Sequence, residues 1–314
     1  MREAQRGQAQ PFDIAEAMAT VRTKRDIEAI FRYFGLRASK RLGQNFLVDH
    51  NLLDLMVREA QVSARDLALD IGSGTGMLTA HLADAAGKVL GFEVDRRLFA
   101  IASRFLGDRA NVALIQGDVL ASKHALAPRL TEAVADEWRT GRYEGLKVVS
   151  NLPYSIASLV VPNLLESDLP VALMLVTVQR EVAERLAAEP GRKAYGSPSV
   201  VVQAHAAVEI VRRVPPSVFW PRPKVDSAIV RVTPQPERLA SLRDYDLFLA
   251  LVRSAFAHRR KTLANALKGC EALTDKAAAE ALLTRCGVEP TSRAESLRPG
   301  QFIALANALA QWSD

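Results

Sequence analysis

Cysteine is scarce in this chain: Cys270 and Cys286 are the only two in 314 residues, with neither a CxxC pair nor a histidine at ligand spacing. That pattern predicts reduced thiols, with no disulfide and no structural metal. Long apolar runs are missing as well, since no stretch approaches the roughly 18 residues of a membrane-spanning helix. The first thirty residues carry mixed charge, Glu3, Asp13 and Glu16 among them, and lack the apolar centre of an export signal. The expected location is therefore the cytoplasm, with no membrane partner. Internal repeats and low-complexity tracts are also absent.

What remains is a globular composition, 49% hydrophobic and 24% charged, long enough for one or two domains. The net charge is +6 and unevenly spread. Thr20 to Asn45 holds seven Lys or Arg against Asp26 and Glu28, and Leu247 to Cys270 holds five with no acid. Two separate basic segments on a basic chain point to a polyanionic partner.

Residues 1–20 read as a loosely ordered extension. Helices are expected over about 23–34, where Ile27, Ile30, Phe31 and Phe34 share one face, and over about 50–60. From Leu67 onward, "LALDI", "KVLGFEVD", "NVALIQGD", "KVVSN" and "VALMLVTVQ" alternate with helical stretches. That alternation predicts a parallel sheet with helices on both faces, an α/β architecture. "SVVVQAHAAVEIVRRV" and "DSAIVRVT" follow without a long helix between them and predict an antiparallel hairpin at one sheet edge. A proline-rich joint, "TPQPERL", then precedes an all-helical remainder. The expected division is an α/β unit over 21–238 and a smaller helical unit over 239–314.

"LDIGSGTGMLT" places Gly72, Gly74 and Gly76 between a strand and a helix. Dinucleotide binding would need G-x-G-x-x-G, but Met77 holds the third glycine's place, and no GK[ST] follows for a phosphate loop. G-x-G-x-G after Asp70 instead resembles the first motif of S-adenosyl-L-methionine-dependent methyltransferases. Glycines there let the backbone approach the cofactor's amino-acid and ribose portions. Glu93 ends the next strand 21 residues past Gly72, close to the spacing expected of a carboxylate that chelates ribose hydroxyls. Asp95 is the rival and reads better as a helix cap. Asp118 ends the third strand and can accept from the cofactor's adenine amine.

The fourth strand ends in "NLPY". This resembles the catalytic motif of methyltransferases that alkylate exocyclic amines of nucleobases. Such a nitrogen is a poor nucleophile, and two hydrogen-bond acceptors can draw it toward tetrahedral geometry and stabilise the developing positive charge. Asn151 supplies one through its side-chain oxygen. Leu152 supplies the other through its carbonyl, held outward because Pro153 biases Leu152 toward an extended backbone. Tyr154 offers a stacking face for a base reached outside its helix. In "VFWPRPKVDSA", a stiff extended segment, Phe219 is expected to meet the base's other face.

Together with these, "LGQNFLVD", "KAYGSPS" and "FAHRRKTLANAL" occur in the order seen in the ribosomal RNA adenine dimethyltransferases, over about Gly35 to Trp312. The chain is most similar to the bacterial KsgA branch of that family, whose members dimethylate two adjacent adenosines in the 3′-terminal hairpin loop of small-subunit RNA. The resemblance implies a Rossmann-like fold with S-adenosyl-L-methionine held by Asn45, Leu47, Gly72, Gly74, Glu93, Asp118 and Asn151. It implies catalysis at Asn151, Leu152, Pro153 and Tyr154, with Phe219 beside them. Arg41, Arg222, Lys224, Arg259, Arg260 and Lys261 are the expected RNA phosphate contacts. The implied partner is small-subunit ribosomal RNA in a pre-ribosomal particle, engaged by a monomer. Ser150 departs from the glycine many members carry, and its β-carbon could crowd the cofactor. Competing readings are a large-subunit methyltransferase of the Erm branch, a non-catalytic assembly factor of the same fold, and a nucleotide-dependent oxidoreductase.

Overall fold

Seven stretches form one sheet in the computed structural model, which describes residues 14–21, 23–39 and 41–312. They are β1 (Asp66–Ile71), β2 (Lys88–Glu93), β3 (Val112–Gln116), β4 (Gly145–Asn151), β5 (Val171–Gln179), β6 (Ala206–Val214) and β7 (Ser227–Pro234). Their spatial order is β3-β2-β1-β4-β5-β7-β6. The first five are parallel, and β7 runs antiparallel between β5 and β6. The chain winds outward from β1 through β2 to β3, then crosses to β4 on β1's other side. The carboxyl ends of β1 and β4 therefore flank the crevice where the winding direction switches.

Helices cover both faces. On one lie α1 (Ile14–Thr20), α2 (Lys24–Tyr33), α3 (His50–Glu59), α4 (Met77–Ala83) and α5 (Arg96–Leu106). Ile27, Ile30, Leu53, Met56 and Ile101 pack there against Val149, Leu175 and Ile229 of the sheet. On the other lie α6 (Pro128–Trp138), α7 (Ala157–Leu165) and α8 (Arg180–Leu186), whose Leu130, Val134, Val160, Val161 and Leu186 meet Leu69, Val148, Met174 and Val230. All six side chains of β1 are buried, as expected of a parallel strand covered on both faces. Local chemistry sets the helix starts. Thr23 and Asp26 form a capping box for α2, and Asp49 and Asp95 accept backbone N–H groups at the starts of α3 and α5.

After α9 (Ser197–His205) the remaining helices are α10 (Tyr245–Phe256), α11 (Leu263–Leu267), α12 (Lys276–Arg285) and α13 (Pro299–Ala310). Their apolar cluster, with Phe248, Leu251, Leu282 and Phe302, also takes in Ala188, Tyr195, Val200 and Ala204 from before the proline-rich joint. The Tyr195 hydroxyl donates to the Leu297 carbonyl at 2.7 Å, tying the two stretches together.

Two expectations change. "SVVVQAHAAVEIVRRV" is not one strand: its first half is α9, started by Pro198 in the first turn, and only Ala206–Val214 joins the edge hairpin. Residues 14–20 are helical rather than loose, because Ile14 and Met18 lie one turn apart and both bury their side chains, packing with α5. Residues 1–13 of the expected extension lie outside the described residues.

Candidate active site

The glycine loop leaves β1 with Gly72, Gly74 and Gly76 all in the left-handed region, at φ +76°, +58° and +88°, a conformation side chains disfavour. The N–H groups of Gly72 and Ser73 both donate to the Phe92 carbonyl, at 2.8 and 2.9 Å, fixing the loop on β2. Space is as strict as conformation. A β-carbon on Gly72 would lie 2.8 Å from the Pro153 ring, and one on Gly74 would lie 3.1 Å from the Phe46 ring. The loop therefore touches the "NLPY" turn directly.

Glu93, nearly buried at the end of β2, accepts from the Gly74 N–H and the Asp95 N–H, each at 2.8 Å. Burial pushes its carboxyl upward, opposed by these two N–H groups. Each oxygen keeps capacity for a further donor, since a carboxylate accepts about four hydrogen bonds. Asp95 is the cap of α5, as its position suggested. Asp118 is exposed where it lines the crevice, with one oxygen on the Leu120 N–H at 3.0 Å.

Asn151 is where the local geometry says most. Its Nδ2 donates to the Asn45 carbonyl at 2.8 Å. That bond fixes which end of the amide is oxygen. The remaining Oδ1 is buried and has no hydrogen-bond partner. An orphaned acceptor of this kind costs about 1–3 kcal/mol, so the site is built for a donor that arrives with a ligand. The turn that follows is rigid: the Pro153 carbonyl accepts from the N–H groups of Ile156 and Ala157 at 3.0 and 3.1 Å, leading into α7. Leu152 buries its side chain under the crevice, and Tyr154 lines the wall with its hydroxyl bonded to Ser227.

The segment 42–46 lines another wall of the crevice. Gly43, at φ +67°, has no room for a side chain because its β-carbon would sit 3.0 Å from the Tyr154 nitrogen. Asn45 bonds back to the Gly43 carbonyl at 3.2 Å, and Gln44 reaches Asp95 at 3.3 Å. Leu47 lies deeper, beside Asp70, Ser73 and Met77 on the far side of the glycine loop. Thus Asn45, Gly72, Gly74, Glu93, Asp118 and Asn151 converge on one crevice, while Leu47 lines a smaller adjoining cavity behind the loop.

Phe219 does not join them. It is fully buried in the apolar core and pairs with Leu47 across a two-residue antiparallel bridge, Phe46–Leu47 with Phe219–Trp220. Its neighbour Trp220 packs on Phe31 at 4.7 Å and donates to Glu28 at 2.7 Å. These contacts hold the segment inward, so the expected stacking by Phe219 is corrected: the ring supports the floor under Leu47. The concern over Ser150 also falls away. Its hydroxyl accepts from the Ile71 N–H at 2.8 Å, inside the sheet, at the point where β1 and β4 have stopped pairing.

Asp70, Gly43, Gln44 and Phe46 were not among the expected site residues. Asp70 is buried and accepts from Thr79 Oγ1 at 2.7 Å. Burial, with the Glu93 charge adding to it, pushes its carboxyl up to about 7 against that hydrogen bond. Its place immediately before the glycines was the available signal.

Of the basic candidates, Arg41, Arg222, Lys224, Arg260 and Lys261 are exposed and, among the described residues, form no salt bridge. Arg259 is paired with Glu295 at 3.1 Å and bonds the Lys193 carbonyl, joining "KAYGSPS" to the turn after α10. Arg41 adjoins the crevice-lining segment 42–46, whereas 259–261 lie in the helical part. Lys40 and Arg22 lie outside the described residues. Among those described, no cluster of His, Cys, Asp or Glu is arranged to hold a metal, and no helix is long and apolar enough to cross a membrane.

The residues present fit S-adenosyl-L-methionine. The loop's three glycines leave a cradle that β-carbons would fill, a carboxylate with spare capacity ends the strand on one side of it, and an unpartnered amide oxygen ends the strand on the other. The comparisons agree. A family model described as "Ribosomal RNA adenine dimethylase" matches residues 35–311. Proteins named ribosomal RNA small subunit methyltransferase A, from Bacillus mycoides (strain KBAB4) and Bacillus cereus (strain AH187), are each 39% identical over 296 residues, covering 93% of this chain and 98% of theirs. Among solved structures, a dimethyladenosine transferase from Plasmodium falciparum superposes with a TM-score of 0.67 at 24% identity, covering 81% of this chain and 94% of that one. The 23S rRNA methyltransferase ErmE does so with a TM-score of 0.62 at 26% identity, covering 85% and 100%. With its Rossmann-like methyltransferase sheet and a family match running nearly end to end, this chain belongs to the ribosomal RNA adenine dimethylase family.

Proposed function

We propose that this protein dimethylates the exocyclic amines of two adjacent adenosines in the 3′-terminal hairpin loop of small-subunit ribosomal RNA. The observation that carries the chemistry is the unpartnered Asn151 Oδ1, oriented by the bond from its own Nδ2 to Asn45. S-adenosyl-L-methionine, when bound, supplies a methyl group on a positively charged sulfur. Asn151 Oδ1 and the Leu152 carbonyl accept the two hydrogens of the adenine amine, raising its nucleophilicity and stabilising positive charge as it is alkylated. Pro153 holds that carbonyl outward, and Tyr154 receives the face of the extruded base. Glu93 accepts from the cofactor's ribose hydroxyls and Asp118 from its adenine amine, with Asn45, Leu47, Gly72 and Gly74 shaping the cavity around them. No general base is needed, because the alkylated nitrogen sheds its proton readily. Positioning supplies much of the rate.

The RNA is gripped through phosphates by Arg41, Arg222 and Lys224 near the crevice. Arg260 and Lys261, with Arg259 braced by Glu295, extend the grip in the helical unit over 239–314. The substrate is small-subunit RNA within a pre-ribosomal particle in the cytoplasm, and the chain acts as a monomer. Support for small- over large-subunit RNA comes from the relatives at 39% identity, against 26% for ErmE.

A methyl-labelled cofactor, incubated with this protein and immature small subunits, should place label in small-subunit RNA. No label with folded protein, or label confined to large-subunit RNA, would sink the reading.

A further inference from the structure

Tyr154 is the only crevice-lining aromatic that belongs to the "NLPY" turn, and the structure holds it at both ends. At the backbone end, the turn is pinned by the Pro153 carbonyl, which accepts two N–H groups, and by Ser155 Oγ, which donates to the Leu42 carbonyl at 3.3 Å. Gly43 presses close to the Tyr154 nitrogen. At the far end, the phenol oxygen is hydrogen-bonded to Ser227 Oγ.

Ser227 is an unusually firm anchor. It is fully buried, and β7 pairs on both sides there, with Gln179 of β5 and with Val214 of β6. A side chain on a doubly paired strand has little backbone freedom to lend to its partner. Burial raises the Tyr154 phenol above its ordinary range, so it stays protonated and either hydroxyl can donate. With the hydroxyl held at the start of β7, the ring is fixed at both ends where it lines the crevice.

We propose that Ser227 is a positioning residue for methyl transfer: by holding the Tyr154 hydroxyl it fixes the ring as a preformed platform for the extruded adenine. This rests on the reading of Tyr154 as the stacking residue. A free ring would have to be immobilised each time a base arrived, which lowers the fraction of bound RNA with its base in place. The phosphate grip that sets RNA affinity lies elsewhere, so the effect falls on kcat rather than on KM.

The test is a double-mutant cycle on the full chain with immature small subunits. Ser227→Ala and Tyr154→Phe should each lower kcat about three- to tenfold. Their KM for the particle and their cofactor affinity should stay within about twofold of the starting protein. The double variant should be no worse than either single one, because both remove the same bond. Tyr154→Ala should lower kcat much further. If Tyr154→Ala retains full kcat, the stacking reading itself fails. If Tyr154→Ala is crippled while Tyr154→Phe and Ser227→Ala turn over normally, stacking stands and the positioning role is overturned. Additive losses in the double variant, or a loss in only one single variant, also overturn it. Tyr154→Phe keeps the question decidable should Ser227→Ala fail to fold.

Discussion

Replacing Asn151 with alanine removes two atoms whose contributions to stability have opposite signs. The Nδ2 bond to Asn45 stabilises the fold by about 0.5–1.5 kcal/mol, and leaving the Asn45 carbonyl unpaired adds to the loss. Oδ1, buried without a partner, costs about 1–3 kcal/mol in the free protein, and that cost disappears with it. The two nearly cancel, so Asn151→Ala should keep its stability within about 1 kcal/mol. In a protein of this size that is a shift in Tm of only a few degrees. Turnover should behave quite differently. Loss of one preorganised group facing the developing charge typically costs about 10²–10³-fold in kcat, or roughly 3–4 kcal/mol. Single-turnover methyl transfer at saturating cofactor, measured beside thermal unfolding, separates the two effects. A variant that melts more than 10 °C lower (roughly 3 kcal/mol or more) would mean the amide is structural. A stable variant losing less than about fivefold in rate would mean the unpartnered oxygen does not serve the reaction.

Gly72→Ala would place a β-carbon 2.8 Å from the Pro153 ring at φ +76°, forcing the glycine loop and the "NLPY" turn apart. Cofactor affinity by calorimetry should fall at least tenfold (about 1.4 kcal/mol), and unchanged affinity would refute the contact. Asp70 gives a pH signature. Its carboxyl is raised to about 7 from 3.8, so between those values the folded state holds a proton that the unfolded chain has released. Stability from this group is complete below about pH 4, falls as pH rises, and is lost above about 7, a total of about 4 kcal/mol. Asp70→Asn should flatten stability against pH across that window, and an unaltered slope would count against the burial argument. Replacing Arg222 and Lys224 together by alanine should reduce the dependence of RNA affinity on salt by about one to two in log–log slope. A change in affinity with the slope intact would mean neither meets phosphate.

Much of this architecture was legible in the sequence because parallel strands buried on both faces must be short continuous apolar runs, and "LALDI" and "KVVSN" are such runs. That Glu93, Asp118 and Asn151 line one crevice was legible for a related reason. Glu93 and Asn151 end strands and Asp118 follows one by two residues, and the carboxyl ends of an open α/β sheet share one crevice. What the sequence concealed depends on long-range pairing. Phe219 turns inward because a two-residue bridge joins it to Leu47, segments more than 170 residues apart with no local signal of meeting. The Val- and Ala-rich run beginning at Ser199 suits a strand and a helix equally, and packing on α10 and α13 decides for helix until His205. Ser150 escaped because residue type alone does not say which face of a strand it occupies. On β4, Leu146 and Val148 face one core cluster and Val149 the other. That alternation puts the Ser150 side chain inside the sheet on the face of Leu146 and Val148, fully buried, where a glycine would leave the Ile71 N–H unanswered.

The most direct test is mass-spectrometric mapping of small-subunit ribosomal RNA from cells lacking this protein, complemented with either the unaltered chain or Asn151→Ala. Two adjacent N6,N6-dimethyladenosines in the 3′-terminal hairpin loop should vanish on deletion, return with the unaltered chain, and stay missing with the variant. Full dimethylation restored by Asn151→Ala, or a loop unaffected by deletion, would contradict the account.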